Sequence, residues 1–296
     1  DKDVEVDGPE QFERNGDLIL PRSRSFIPAF LEDNPFLRDT EYGRVLRNLF
    51  EPLRSQLLLG DFRKGIEDDE WQIIPTEFVR QAQKRWTPES PDIPLDVVGC
   101  DPARGGKDQT VIVERYGNWV APLHKFPGSE TNDGPRVAAK VMEVLHGAEA
   151  RVNIDPIGIG SSPLDALEAN DIDVQGINFA AASSARDKTG KYGFKNLRAE
   201  AYWKMRELLD PASGANIALP PDQELRADLT AARWRLSIQG IQVEAKEEIM
   251  DRLGRSPDCS DALVLAFFGA EIGTDVSRPR DVRTSRWRDN RGAATD

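Results

Sequence analysis

The sequence has few of the residues that build thiolate metal sites and disulfide frameworks. Its 296 residues include two cysteines and two histidines, and Cys100 and Cys259 are too far apart in the chain to form a CxxC pair. We therefore expect neither a structural zinc site nor a disulfide scaffold. A reducing cytoplasm is the default compartment for such a chain. No apolar run approaches the roughly 18 residues needed to cross a bilayer, so no membrane association is expected.

Positive charge is also scarce overall. The 39 Lys and Arg residues are outnumbered by 51 Asp and Glu, which gives a net charge of −12. This balance argues against a nucleic-acid partner, but acidic residues are concentrated in the first 70 positions. A nuclease needs only a local basic groove, so a DNA substrate is not excluded. Basic residues that are candidates for phosphate contacts, or alternatively part of a solvated surface, are Lys188, Lys191, Lys195, Arg198, Arg233, Arg235 and Lys246.

Two short apolar segments have the same sequence pattern, in which a predicted strand is followed by Asp-Pro. The segment 95–100 leads into Asp101-Pro102, and the segment 151–154 leads into Asp155-Pro156. Both are too short for a helix and are stopped by proline. Each aspartate alone would be an ordinary turn residue. If the strands are parallel neighbours, however, both carboxylates lie at the sheet edge where open α/β sheets place their chemistry.

The order of predicted elements after residue 91 is β-β-β-α-β-α-β, followed by helices and a β-hairpin around Gly240. This order is that of the ribonuclease H-like fold, an α/β fold with a mixed five-stranded sheet of order 3-2-1-4-5 flanked by helices. In it, strands one and four are adjacent and parallel, which places Asp101 beside Asp155. Predicted strands lie at 95–100, 110–115, 119–126, 151–154 and 174–179. Predicted helices lie at 75–86, 135–146, 163–169, 196–209, 222–232 and 261–270.

A third carboxylate is offered by the segment 256–266, where Asp261 heads an apolar helix that we expect to pack on the sheet. Asp258 is either the helix cap or an auxiliary ligand. Asp108 is either a turn residue or a supporting metal ligand. The adjacent stretch 103–110 superficially resembles a phosphate loop but fails the GxxxxGK[ST] spacing, so no nucleotide-binding residues are assigned.

Three converging carboxylates repel one another and need cations. Hard oxygen ligands without a His/Cys cluster favour Mg²⁺ or Mn²⁺. Two such ions about 4 Å apart would activate a water and stabilise the leaving 3′-oxygen in phosphodiester hydrolysis. The residues alone therefore predict a two-metal hydrolase.

With these residues assembled, the chain resembles the C-terminal nuclease domain of the large terminase subunit, the DNA-packaging motor of tailed bacteriophages. The resemblance covers roughly residues 20–273. It rests on Gly99-Cys-Asp-Pro-Ala-Arg-Gly-Gly-Lys-Asp108, Asn153-Ile-Asp-Pro-Ile-Gly-Ile-Gly160, Asn196-Leu-Arg-Ala-Glu-Ala-Tyr-Trp203 and Arg252-Leu-Gly-Arg-Ser-Pro-Asp-Cys-Ser-Asp-Ala-Leu263. Upstream, the segments 25–29, 33–35 and 57–62 resemble the region that links motor to nuclease.

The resemblance implies a metal-dependent endonuclease that cuts concatemeric viral DNA, with Asp101, Asp155 and Asp261 as the acidic triad. It also implies double-stranded DNA, a portal protein and a small terminase subunit as partners, in the host cytoplasm. Walker A and Walker B elements are not found in the sequence, so we expect no ATPase activity. The implied organisation is a helical linker extension at 1–91 that follows a missing ATPase domain, the nuclease domain at 92–273 and a basic tail at 274–296.

Two other functions stay open. One is a different ribonuclease H-like nuclease of the resolvase or transposase type, which would prefer branched or end-specific DNA. The other is a non-catalytic docking domain for the portal protein or the small terminase subunit, which would show no metal-dependent cleavage.

Overall fold

The chain forms two compact units in the computed structural model, Asp1–Glu70 and Trp71–Asp296. The described residues are 12–14, 17–19, 36, 41, 46, 68–103, 108–156 and 162–270. In the first unit they include an antiparallel pair, β1 (Phe12–Arg14) and β2 (Asp17–Ile19). Outside the described residues lie most of positions 1–67 of the predicted linker extension, the stretch 157–161 and the basic tail predicted at 274–296.

The second unit is built around one mixed sheet with helices on both faces. Its strands are β3 (Val97–Asp101), β4 (Gln109–Tyr116), β5 (Trp119–Val120), β6 (His124–Pro127), β7 (Arg151–Ile154) and β8 (Val174–Gly176). A separate hairpin consists of β9 (Trp234–Ser237) and β10 (Gly240–Val243). The helices are α1 (Thr76–Arg85), α2 (Gly134–Leu145), α3 (Ser162–Glu168), α4 (Leu197–Leu209), α5 (Gln223–Ala231), α6 (Lys246–Leu253) and α7 (Asp258–Ala266).

The sheet confirms the predicted ribonuclease H-like order. β4 lies between β3 and the outer strands β5 and β6, and β3 pairs in parallel with β7, which pairs in parallel with β8. This is the order 3-2-1-4-5, with the predicted third strand divided in two. The division falls at residues 121–123, where Pro122 has no backbone N–H to donate to the ladder.

Helix α7 packs directly on the central strands β3, β4 and β7. The contact is so close at Gly99 that a Cβ atom there would lie 2.2 Å from the Ala262 carbonyl oxygen. Two buried polar side chains fix the far end of the helix. Arg115 donates to the Ala266 carbonyl at 2.7 Å, and the Asn153 amide donates to the Leu265 carbonyl at 2.9 Å.

The two faces of β3 serve different purposes. Side chains alternate along a strand, so Val98 and Cys100 point to one face, and Gly99 and Asp101 point to the other. Val98 and Cys100 are fully buried in the core cluster that contains α2 residues such as Val137 and Val141. Gly99 faces α7, and Asp101 therefore lies on the same side as the first turn of that helix.

The division between the compact units falls after Glu70, because Ile73, Ile74 and Phe78 are buried in the core of the second unit. Two helices differ from the prediction. Helix α7 begins at Asp258, three residues before the predicted start at Asp261. Its first turn is polar, so the apolar pattern that predicts the helix begins only after that turn. Helix α6, whose single fully buried residue is Ile249, was not predicted.

Candidate metal centre

Three carboxylates converge on one ammonium group at the carboxyl end of β3. Lys246 Nζ lies 3.0 Å from Asp101 Oδ2, 3.0 Å from Asp261 Oδ2 and 3.3 Å from Asp258 Oδ1. Asp101 ends β3, the other two aspartates occupy the first turn of α7, and Lys246 opens α6. The residues come from separate parts of the chain and meet because α7 lies on the strand that carries Asp101.

The cluster is largely shielded from water. The three aspartates are only 1 to 8% exposed, whereas the Lys246 side chain is 32% exposed. Buried charges are costly unless they are paired, so the ammonium group is what allows three ionisable carboxylates to lie together. Lys246 is also the member of the cluster that has access to solvent.

Hydrogen bonds from neighbouring groups fix the orientation of the two α7 aspartates. Asp258 Oδ2 accepts from the Gln109 backbone N–H at 3.1 Å, and its Oδ1 accepts from the Ser256 hydroxyl. Asp261 Oδ1 accepts from Arg198 Nη1 at 2.8 Å and from the Tyr202 hydroxyl at 2.7 Å. Each of these aspartates therefore directs one defined oxygen towards the Lys246 ammonium position.

The electrostatics differ between the members of the cluster. Burial raises the pKa of Asp101 to about 8, with further raising contributions from Asp261 and Asp258, although Lys246 opposes the rise. Burial would also raise the pKa of Asp261, but Arg198 and Lys246 outweigh it and lower that pKa. Burial lowers the pKa of Lys246, but the carboxylates around it raise the pKa well above its ordinary value. The ammonium group therefore stays charged.

Asp155 lies at the same edge of the sheet. The last paired residues of β3 and β7 are Cys100 and Ile154, so Asp101 and Asp155 follow at equivalent positions on adjacent parallel strands. The Asp155 backbone N–H donates to the Cys100 carbonyl at 3.4 Å, and the residue is half-buried. The predicted adjacency of the two strands is thus confirmed.

The oxygens around the Lys246 ammonium are of the chemical type that binds divalent cations. They are hard carboxylate oxygens of the kind that Mg²⁺ and Mn²⁺ prefer. Within the described part of the chain, however, no group of three or more His, Cys, Asp or Glu side chains has a ready-made metal-binding arrangement. The lysine and a cation cannot occupy the same point, so Lys246 has to move before a cation binds.

The other predicted site residues are more dispersed. Asp108 directly precedes β4, and its backbone carbonyl accepts from the Gly128 N–H at 3.0 Å. Arg198 is buried against Asp261. Arg233 is half-buried at the start of the hairpin. Among the predicted phosphate contacts, the exposed side chains are those of Lys188, Lys191, Lys195 and Arg235.

One contact joins the loop that carries Lys195 to the hairpin that carries Arg235. The Lys195 backbone N–H donates to the Ile241 carbonyl at 2.9 Å, and the Ile241 N–H donates to the Gly193 carbonyl at 2.8 Å. Gly240 permits this approach, because its φ is +104° and a Cβ there would lie 2.2 Å from the Gly193 oxygen.

Sequence reasoning missed the residues that organise the carboxylates. Tyr202 and Ser256 bond directly to Asp261 and Asp258, and Lys246 was considered only as a phosphate contact. A signal for Tyr202 existed, since it lies four residues after Arg198 on α4 and both are polar residues on a buried helical face. The position of Lys246 had no such signal, because the helix that it opens was not recognised.

Comparisons with known proteins agree with the fold. The nuclease domain of the large terminase subunit gp2 of bacterial virus Sf6 superposes with a TM-score of 0.53 at 20% sequence identity, covering 66% of this chain and 97% of that one. A single-residue variant of that domain, solved with manganese and beta-thujaplicinol, gives the same TM-score at 19% identity and the same coverage. Another structure of a variant, with calcium, gives 0.52 at 19% identity and covers 66% and 98% of the two chains.

At these identities the likeness establishes the fold, which is the ribonuclease H-like fold of terminase nuclease domains. No protein-family model matches the sequence, and no curated protein matches it. Among the described helices, none combines the length and apolarity needed to cross a membrane.

Proposed function

We propose that this chain, which has the fold of terminase nuclease domains, is a metal-dependent DNA endonuclease that cuts concatemeric viral DNA during genome packaging. The observation that carries the proposal is the convergence of Asp101, Asp258 and Asp261 on a single cationic point at the carboxyl edge of the sheet. A binding module has no evident need for three buried carboxylates that face one position.

Asp101, Asp258 and Asp261 would hold a Mg²⁺ or Mn²⁺ ion, and Asp155, beside Asp101, completes the carboxylate set for two ions. When bound, such ions supply a nucleophilic water at neutral pH and stabilise the charge that develops on the leaving oxygen. Arg198, Tyr202, Ser256 and the Gln109 amide orient the carboxylates. Because these partners are already in place, the main rearrangement that cation binding requires is the movement of Lys246.

Lys246 gives the site two charge states. With the ammonium between the carboxylates, the site is electrostatically satisfied without a cation. When a cation takes its place, the long side chain of Lys246 is free to contact a DNA phosphate at the same edge. Lys195 and Arg235, exposed on the adjoining loop and hairpin, and Lys188 and Lys191 further along the loop, extend the positive surface available to the backbone of double-stranded DNA.

The proposal also includes the setting of the reaction. Cleavage of packaged DNA would take place in the host cytoplasm, with the portal protein and the small terminase subunit as the proteins that bring the nuclease to its substrate. The likeness to terminase nuclease domains supports the choice of these partners, and the compartment belongs to the proposal alone.

The test is cleavage of supercoiled plasmid by the Asp101→Asn and Asp261→Asn variants in Mg²⁺ or Mn²⁺. Each substitution removes a charged ligand, so we expect cleavage to fall by at least about a hundredfold. Asp251→Asn is a matched control, because Asp251 lies on the exposed side of nearby α6. Circular dichroism and thermal melting establish that each variant is folded.

Wild-type cleavage rates in both active-site variants would refute the assignment. Linear DNA and four-way junctions should be cut no faster than plasmid, since a strong preference for junctions would indicate a resolvase. If the wild-type chain cuts none of these substrates in either cation, the docking-domain alternative is favoured instead.

A further inference from the structure

We propose that Tyr202 and Arg198 set the cation selectivity of the site by keeping Asp261 a single-oxygen ligand, which favours Mg²⁺ over Ca²⁺. The proposal rests on the proposed function, because it concerns the cation that the carboxylates would bind. Its basis is the set of contacts around one oxygen atom, Asp261 Oδ1.

Asp261 Oδ1 is fully engaged by the protein. A carboxylate oxygen offers about two acceptor positions, and here one is taken by Arg198 Nη1 at 2.8 Å and the other by the Tyr202 hydroxyl at 2.7 Å. The Tyr202 oxygen in turn lies 3.4 Å from Arg198 Nη2 and 2.7 Å from Ser260 Oγ. The Ser260 hydroxyl also bonds to the Pro257 carbonyl at 3.0 Å. The Tyr202 hydroxyl donates to Asp261 Oδ1, and Arg198 donates to both Asp261 and Tyr202.

The contact is also buried and held by packing. Tyr202 is fully buried, Asp261 is 1% exposed and Arg198 is 9% exposed. Arg198 lies over the Tyr202 ring, 4.9 Å from its centroid, and both residues project from the same face of α4. A tyrosine hydroxyl is protonated at physiological pH and can therefore act as a donor. Rotation of the carboxylate would leave buried donors unpaired, which is costly.

A ligand restricted in this way discriminates between cations. Asp261 Oδ2, which faces Lys246, is the oxygen left to bind a metal, so Asp261 binds through one oxygen only. Mg²⁺ accepts this readily, since it prefers six ligands in near-ideal octahedral geometry at short distances. Ca²⁺ takes six to eight oxygens and commonly uses carboxylates through both oxygens. Because protein donors occupy Oδ1, Asp261 cannot bind a cation through both oxygens, and this lowers the affinity for Ca²⁺ more than the affinity for Mg²⁺.

The test is the ratio of Ca²⁺ to Mg²⁺ affinity, measured by calorimetric titration of the full chain with each metal alone. In Tyr202→Phe one acceptor position on Oδ1 becomes free, so we expect the ratio to rise by about tenfold in favour of Ca²⁺. Ser260→Ala is the matched control, because it removes the other partner of the Tyr202 hydroxyl and leaves the bond to Asp261 intact; its ratio should stay at the wild-type value. Arg198→Met frees the second position on Oδ1 and should raise the ratio in the same direction.

The possible outcomes distinguish a failure of the proposed function from a failure of the selectivity proposal alone. Wild-type protein that binds neither cation overturns the proposed function and this inference with it. Wild-type protein that binds Mg²⁺, together with Tyr202→Phe and Arg198→Met variants that keep the wild-type ratio, overturns the inference alone. Loss of selectivity in Ser260→Ala to the same extent as in Tyr202→Phe would indicate a general loosening of the site and would also overturn it.

Discussion

Lys246 is the residue on which the resting charge balance of the site depends. Its ammonium bonds to three buried carboxylates, and removing one partner of a buried ion cluster leaves uncompensated charge. The same ammonium excludes any cation from its own position. Lys246 therefore stabilises the metal-free protein and opposes metal binding at the same time.

Lys246→Ala separates these two effects. Without metal, we expect the variant to melt at a lower temperature than wild type, because the carboxylates then repel one another. In Mn²⁺ we expect a larger rise in melting temperature than wild type shows and an affinity for Mn²⁺ that is tighter by about tenfold or more, since no ammonium has to be displaced.

Thermal melting with and without Mn²⁺, together with calorimetric titration, measures both quantities. Lys140→Ala is a suitable control, because Lys140 forms an ion pair with Glu143 on α2 that is not part of the site. Weaker Mn²⁺ binding in Lys246→Ala than in wild type would contradict the view that the lysine and the cation compete.

At this scale the positions of the carboxylates were easier to predict than those of their partners. Asp101 and Asp155 lie at the ends of adjacent strands, and strand ends are recognisable from local pattern. Tyr202 and Lys246 act on aspartates that are 59 and 145 residues away in the chain. The spacing of Tyr202 from Arg198 marks it as a candidate, but which aspartates Tyr202 and Lys246 contact became visible only with the fold.

Helix α7 brings two of the three clustered carboxylates to the edge of the sheet. It carries Asp258 and Asp261 in its first turn, and its packing against Gly99 sets how closely that turn approaches Asp101. Its amino end has a further support from α5, because Asp228 accepts from the Cys259 N–H at 3.1 Å. A carboxylate at a helix amino terminus is favourable through the unpaired N–H groups and the helix dipole.

Gly99→Ala should displace this helix. The added methyl group would lie 2.2 Å from the Ala262 oxygen and 2.5 Å from the Ala266 nitrogen, which are backbone atoms that move only with the helix. We expect a loss of about 3 kcal/mol in the free energy of unfolding, at the upper end of overpacking effects, together with weaker Mn²⁺ binding.

Urea denaturation and Mn²⁺ titration check this expectation. Gly193→Ala is the control, because a Cβ there meets no atom closer than 3.9 Å. If Gly99→Ala and Gly193→Ala were equally stable, the close approach of β3 and α7 would not be what positions the two α7 aspartates.

The elements that could not be predicted have physical explanations. Helix α6 is eight residues long, with Ile249 fully buried and Leu253 partly buried against the core. One apolar pair at helical spacing is too short a pattern to predict a helix. The interruption between β5 and β6 depends on where a proline falls relative to the ladder. In contrast, α2 and α4 were predicted to within one residue at each end, because both have regular apolar spacing and a recognisable amino-terminal cap, Asp133 and Asn196.

For the whole molecule, the order of elements was sufficient to predict the topology. An α/β chain whose first three strands form a meander and whose later strands follow helices has few ways to build one sheet. Distances within the site did not follow from topology. Two strands predicted as neighbours place their carboxylates at one edge, but which oxygen faces which cation depends on side-chain contacts that no pattern specifies.

Overall charge also limits how the whole molecule meets DNA. With a net charge of −12, the chain as a whole repels a polyanion, so binding has to come from a local surface. The exposed residues Lys195 and Arg235 are the candidates for such a surface, and the hairpin that carries Arg235 leads directly into α6 and Lys246. Binding of this kind releases counterions and therefore weakens with salt.

Lys195→Gln and Arg235→Gln test this surface. If each side chain contacts one phosphate, each substitution should lower the slope of log affinity against log salt concentration by about 0.9 for duplex DNA. Fluorescence anisotropy with a labelled duplex in EDTA, which prevents cleavage, measures the slope. Lys84→Gln, at an exposed position on α1, should leave it unchanged. Equal slopes for all three variants and the wild type would indicate that DNA binds to another face of the molecule. That face would be away from the carboxylates that we propose hold the catalytic ions.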